Sequence, residues 1–230
     1  MQNIKLVIFD LDGTLLNTIS DLAHSTNYAL EKNGFPVHPI EAYRFFIGNG
    51  INKLFERALP EHEKTEKNIM LIRESFLPYY DIHNMDYTMP YEGIHSLLKS
   101  LQSKGLMLAV ASNKYHSATE KIIKKSFPDV SFIAVFGQRE GVPVKPDPAI
   151  VHDILETANI SPKEAVYIGD SGVDMQTASN SGVISIGVTW GFRPREELEA
   201  SGANFIADST TDITDIISGV LMHYNKKISC

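Results

Sequence analysis

Two aspartates, Asp10 and Asp12, stand two residues apart at the end of an apolar run, in Asp10-Leu11-Asp12-Gly13-Thr14. That spacing in extended chain sends both carboxylates to the same side. Gly13 permits a tight turn directly after them, and Thr14 adds a hydroxyl. Three further polar clusters follow later apolar runs: Ser112-Asn113, Lys145 and Asp170. Brought together, Asp10, Asp12 and Asp170 repel one another unless a cation offsets their charge. No His or Cys accompanies them, so the ligands are hard oxygens, which suits Mg²⁺ rather than zinc. Mg²⁺ takes one or two carboxylates and leaves another free to react. A hydroxyl such as Ser112 and an ammonium such as Lys145 are the donors that hold a phosphoryl group while charge develops on it. One aspartate of the close pair can attack phosphorus while the other carries protons. An Asp after a strand is also a common helix cap, and the chemistry rests on all the clusters meeting.

An open parallel sheet brings such residues together, because ligands bind at the C-terminal ends of its strands. Apolar β-rich runs at 4–9, 106–111, 132–136, 165–168 and 183–188 read as buried strands, with 205–206 as a short edge. Helical stripes separate them. Ile94, Leu97, Leu98 and Leu101 share a face ahead of Gly105, and Asp147-Pro148 reads as the start of a helix carrying Ile150, Val151, Ile154 and Leu155. Ile213, Ile216, Ile217, Val220 and Leu221 form a last stripe. The alternation predicts an α/β fold, a doubly wound Rossmann-like sheet with helices on both faces. From 17 to 85 no strand pattern appears. Helical patterns occupy 20–32, 39–46, 51–59 and 63–80, and Pro78 is expected to kink or end the last. The predicted division is a catalytic core of 1–16 and 86–230 and an inserted all-helical cap of 17–85, hinged at the two crossings.

The 230 residues suffice for a core with a small insert, and 43% hydrophobic content suits a folded chain. A formal charge of −7 argues against a nucleic-acid partner. It also means that positive charge for an anionic substrate must be placed locally. No apolar run approaches the ~18 residues of a membrane span. The N-terminus lacks the basic leader of a signal peptide, and the single cysteine, Cys230, permits no internal disulfide. A cytoplasmic enzyme without membrane association is expected, acting on a small phosphorylated metabolite. No sequence pattern specifies its oligomeric state.

The motifs resemble those of the haloacid dehalogenase-like phosphohydrolases. Asp10-Leu11-Asp12-Gly13-Thr14-Leu15 is similar to their first motif, Ser112 to the second and Lys145 in Val-Lys-Pro-Asp-Pro to the third. Gly169-Asp170-Ser171-Gly172-Val173-Asp174 is similar to the fourth, and the order is intact over essentially the whole chain. The resemblance implies Asp10 as nucleophile and Asp12 as general acid/base. It implies Mg²⁺ held by the Asp10 side chain, the Asp12 carbonyl and Asp170, with Asp174 supporting the metal's water shell. Thr14, Ser112, Asn113 and Lys145 would bind phosphate. Asp147 reads as a helix cap that holds the Lys145 loop.

The helical insert is similar to the cap of the phosphoglycolate phosphatase-like branch. The runs Asp21-Leu22-Ala23, Ile47-Gly48-Asn49-Gly50, Glu56-Arg57-Ala58-Leu59 and Ser112-Asn113-Lys114 carry that likeness. Asn17 departs from it, standing where that branch has an acidic residue. Gly48 and Asn49, in a flexible turn, and Lys53 are candidates for substrate selection. Arg44, Lys53 and Arg57 read first as solvated charges on the cap. The branch implies a small acid such as 2-phosphoglycolate; the alternatives are a broad-specificity sugar-phosphate phosphatase and a β-phosphoglucomutase-like phosphotransferase. Asp12 argues against a haloacid dehalogenase and a phosphonoacetaldehyde hydrolase. The rival from outside enzymology, a phosphoacceptor signalling module, would be about half this length without a helical insert.

Overall fold

The computed structural model describes residues 4–228, with side chains described through residue 219. Cys230, and the side chains of Val220 and Leu221 in the last predicted stripe, lie outside this set. Strand β1 (Leu6–Phe9) lies inside a six-stranded sheet with β4 (Met107–Tyr115), β5 (Ala134–Gln138), β6 (Ala165–Gly169), β7 (Ile184–Val188) and β8 (Phe205–Ala207). The order is β5-β4-β1-β6-β7-β8, and every pairing is parallel. A central parallel strand meets helices on both faces, so all of β1 must be apolar. Alternate residues serve two cores: Leu6 and Ile8 pack with α7 (Ala149–Ala158), while Val7 and Phe9 pack with α5 (Ile94–Ser103) and α6 (His116–Ser126). Helices α8 (Gly172–Ser181), α9 (Arg195–Ala200) and α10 (Thr210–Ile228) pack against β6, β7 and β8.

Between β1 and β4 the chain makes a two-stranded antiparallel pair, β2 (Leu16–Asn17) with β3 (Met89–Pro90). Every regular element between those strands is helical: α1 (Ile19–Lys32), α2 (Tyr43–Phe46), α3 (Ile51–Ala58) and α4 (Glu66–His83), with 3-10 turns at Ile40–Ala42 and Glu61–Glu63. The Asp21 carboxylate accepts from the backbone N–H of Tyr87 (3.0 Å) and Thr88 (2.8 Å), tying the start of α1 to the returning chain. No helix among the described residues is long and apolar enough to cross a membrane.

Two elements differ from the sequence expectation. Helix α4 passes through Pro78 and ends at His83. An interior proline costs about 3 kcal/mol, but Phe76 and Tyr80 on either side of it are fully buried in the main core, and that burial outweighs the lost bond. Strand β4 runs beyond 111 to Tyr115, its register against β5 shifting after Ala111. Its polar end stays extended because Asn113 and Lys114 find buried partners there.

Candidate active site

The end of β1 delivers Asp10, which is buried, with its backbone N–H bonded to Ile168 O of β6. The turn after it depends on Gly13 for two reasons. Its φ is +88°, and a Cβ there would collide with the Asp170 carboxylate. Asp170 follows β6 and is also buried. Its Oδ2 accepts from Phe192 N–H at 2.7 Å, and its Oδ1 lies 3.4 Å from the Thr14 hydroxyl that donates to it. Asp174 sits in the first turn of α8, where a capping box with Ser171 fixes it (Ser171 Oγ to Asp174 Oδ2, 2.6 Å). Asp10, Asp170 and Asp174 each present a carboxylate oxygen within 4.8 Å of the others.

Among the described residues, one cation faces this cluster. Lys145 is buried, and its ammonium lies within hydrogen-bond reach of four oxygens, those of Asp10 (2.8 Å), Asp174 (2.7 Å), the Tyr167 hydroxyl (2.9 Å) and Ala111 O (3.0 Å), which share its three N–H donors. Asn113 braces the Lys145 backbone from both sides, donating to its carbonyl and accepting from its N–H. Burial disfavours the ammonium, and the Asp10 and Asp174 charges more than offset that, holding Lys145 well above its ordinary pKa. Fully ionised, three carboxylates against one ammonium would leave an excess of two negative charges in a buried space. Burial, only partly countered by Lys145, therefore pushes the Asp10 carboxyl up to about 7. Asp170 is likewise raised well above the carboxylate range, by burial first and then by Asp174 and Asp10. A divalent hard cation matches both the excess charge and the all-oxygen donor set.

Asp12 belongs to a second, self-contained pair. Its carboxylate lies 2.9 Å from the buried Lys114 ammonium and accepts from the Thr18 hydroxyl at 2.7 Å. Both aspartates line a pocket with Ser112, Asn113, Lys114, Asp170 and Ser171 on the sheet side. Leu22, Ile47, Gly48, Gly50, Ile51 and Leu54 line it from the helical segment, and Phe192 and Arg193 from the loop after β7.

Several sequence candidates occupy other positions. The Thr14 hydroxyl is fully buried behind Asp170 and does not line the pocket. Lys145 lies beneath the pocket rather than on its wall. Asp174 stands in the acidic cluster itself, as near as the other two carboxylates. Gly48 reaches the pocket, whereas the Asn49 side chain accepts from Arg57 at 2.8 Å. Lys53 is exposed, pairs with Glu56 at 2.6 Å and is not among the lining residues. Arg44 is exposed, as a solvated charge should be, and also donates to Gly191 O (3.1 Å), whereas Arg57 is half-buried and donates to Phe46 O (3.0 Å). The orphan carbonyls of Phe45 and Phe46 in a four-residue helix draw the Arg57 guanidinium in.

The profile of the haloacid dehalogenase-like hydrolase family matches residues 7–188. The chain belongs to that family. It is 32% identical to a phosphoglycolate phosphatase of Vibrio vulnificus over 221 residues, 94% of this chain and 97% of that one. It is 30% identical to the phosphoglycolate phosphatase of Pasteurella multocida, over 94% of this chain and all of the other. A crystal structure from Lactobacillus delbrueckii subsp. bulgaricus, provisionally named a phosphoglycolate phosphatase, superposes with a TM-score of 0.88 at 33% identity. That alignment covers 94% of this chain and 99% of the other. This haloacid dehalogenase-like hydrolase is accordingly a phosphatase of the phosphoglycolate phosphatase-like branch.

Sequence reasoning gave no role to Lys114, Tyr167 or Arg193. For Lys114 a signal existed: it follows Ser112 by two in a strand, the spacing that puts Asp10 and Asp12 on one side. Tyr167 and Arg193 carry none, since their partners come from other elements: Tyr167 meets the Lys145 ammonium at 2.9 Å, 22 residues away, and Arg193 donates to Arg44 O at 2.7 Å, 149 residues away.

The acidic cluster has a consequence for stability. Carboxyls raised in the folded state resist ionisation that the unfolded chain permits. The Asp10 contribution is fully present below about pH 4 and is lost as pH rises through about 7, and that of Asp170 is lost in the same direction. Without divalent metal, the contribution of these groups should lower Tm from pH 5 to pH 8. Mg²⁺ should raise Tm more at pH 8 than at pH 5. A Mg²⁺-induced shift in calorimetry that is equal at both pH values would contradict the assignment.

Proposed function

We propose that this phosphatase hydrolyses a small phosphorylated acid, 2-phosphoglycolate foremost, with Mg²⁺ bound and through a phosphoryl group carried on Asp10. The observation that carries this reading is a pocket lined by Asp10 and Asp12 beside a buried cluster of three carboxylates that face one ammonium. Asp10, Asp170 and the Asp12 backbone carbonyl would hold Mg²⁺, with Asp174 supporting them and holding Lys145. When bound, the ion supplies charge compensation for the phosphoryl oxygens and for the cluster.

The protein's own groups carry the chemistry. An Asp10 oxygen attacks phosphorus and the ester oxygen departs, taking a proton from Asp12; Asp12 then accepts a proton from the water that cleaves the acyl phosphate. Lys145 is held against Asp10 at 2.8 Å, which fixes the direction in which that carboxylate faces. Ser112 stands on the pocket wall as a hydroxyl donor to the phosphoryl group. Residues 17–85 act as a cap whose Leu22, Ile47, Ile51 and Leu54 exclude water once it is closed. This apolar ceiling suits a substrate with few hydroxyls, and the names of the relatives support 2-phosphoglycolate.

Excess EDTA should abolish phosphate release, and Mg²⁺ should restore it. Ca²⁺, which prefers more ligands and looser geometry, should bind without supporting turnover. Full activity in EDTA would remove the metal from the reaction. On a panel of small esters, kcat/KM for 2-phosphoglycolate should exceed that for hexose phosphates by about 10-fold or more. Equal values would assign a general phosphatase instead.

A further inference from the structure

The loop at 190–193 touches the acidic cluster at one end and the helical segment at the other. Inward, Trp190 Nε1 donates to Thr14 O at 3.1 Å, and Phe192 N–H donates to Asp170 Oδ2 at 2.7 Å. Between them Gly191 lies so close to Asp170 and the Gly13 carbonyl that a Cβ would strike both. Outward, Gly191 O accepts from Arg44 Nη2 of α2 at 3.1 Å. Arg193 answers across the same gap, donating from Nη1 to Arg44 O (2.7 Å) and from Nη2 to Ile47 O (2.9 Å). Its side chain is 11% exposed and lines the pocket.

These contacts form a chain of rigid links. α2 has only four residues, so its last carbonyls need donors from elsewhere, and the core supplies two of them through one guanidinium. A planar fork can bridge two carbonyls at once and fixes the angle between the parts it joins. Asn113 makes a second tie, donating to Gly48 O at 3.1 Å, but the loop at 190–193 is the one bonded directly to Asp170. We propose that Arg193, with Arg44, is a positioning residue pair that couples closure of the helical segment over the pocket to the placement of Asp170. The coupling rests on reading that segment as a cap. Exchange and fluorescence need no substrate, so a wrong substrate assignment leaves both measurements intact.

Arg193→Ala should speed amide hydrogen exchange at 44–50 about 10-fold and leave β1 unchanged. An open cap taxes binding more than chemistry, so KM should rise about 10-fold while kcat stays within about threefold. Arg193→Lys keeps the charge without the fork and should fall between wild type and Arg193→Ala. Arg44→Ala guards against a misfolded Arg193 variant and tests the coupling from the other side. Trp190 is the only tryptophan, and its emission should shift to the red in Arg44→Ala although residue 44 belongs to the helical segment. Unchanged exchange at 44–50 in both alanine variants would overturn the proposal. So would an unchanged Trp190 emission in Arg44→Ala, or a loss in kcat with KM unmoved.

Discussion

Asp10→Asn should abolish hydrolysis of every phosphate ester, by on the order of 10⁴–10⁶-fold, because an amide is a poor nucleophile and no other group takes its place. The substitution is isosteric, and its surroundings tolerate it. Lys145 retains Asp174, the Tyr167 hydroxyl and Ala111 O as acceptors, and the cluster sheds one of its mutually repelling charges. The variant should therefore fold, with its loss confined to chemistry. Stopped-flow and steady-state phosphate release check this beside a thermal melt. A folded Asp10→Asn enzyme retaining even about a tenth of the wild-type rate would move the nucleophile to another residue.

Asp12→Ala should produce a different defect. General acid–base help is worth roughly 10²–10⁴-fold, and Asp12 is assigned it in both half-reactions. With an alkyl phosphate both halves suffer. With p-nitrophenyl phosphate the leaving group departs without a proton, so formation of the phospho-enzyme proceeds and its hydrolysis stalls. Nitrophenol should appear as a burst near one equivalent per active site, followed by slow turnover. A peptide containing Asp10 should carry the added phosphoryl mass. Removing the carboxylate also leaves the buried Lys114 ammonium unpaired, and a broken buried pair costs about 3–5 kcal/mol. Asp12→Asn reduces that loss, since its amide oxygen can still accept from Lys114 and Thr18, while carrying no proton between substrate and water. Both variants should show the burst. An unchanged steady-state rate in either would remove the acid–base role.

The elements that hold Asp10 and Asp170 were legible because parallel strands covered on both faces must be apolar throughout. β1 and β6 are buried from end to end, and each stops where a carboxylate begins. The polar end of β4 was not legible. Ser112, Asn113 and Lys114 read as a loop because their extended conformation is secured by partners at Lys145 and Asp12, 32 and 102 residues distant. Helix α4 misled in the opposite direction. Local propensity kinks or ends a helix at Pro78, and packing of Phe76 and Tyr80 carries this one on to His83.

For the site the division follows the range of the forces. Residue type, spacing and the strand ends named Asp10, Asp12, Ser112, Lys145 and Asp170, because carboxylate, hydroxyl and ammonium chemistry is intrinsic to side chains. The sequence alone also separated a helical stretch from a sheet, since hydrophobic period is local. Only the tertiary structure decided which charges pair. Lys145 faces Asp10 and Asp174, Lys114 takes Asp12, Lys53 remains with Glu56 in solvent, and Arg193 spans from the sheet to α2. Pairing depends on burial and on distances of about 3 Å between residues far apart in the chain, and neither quantity is a property of any stretch of sequence.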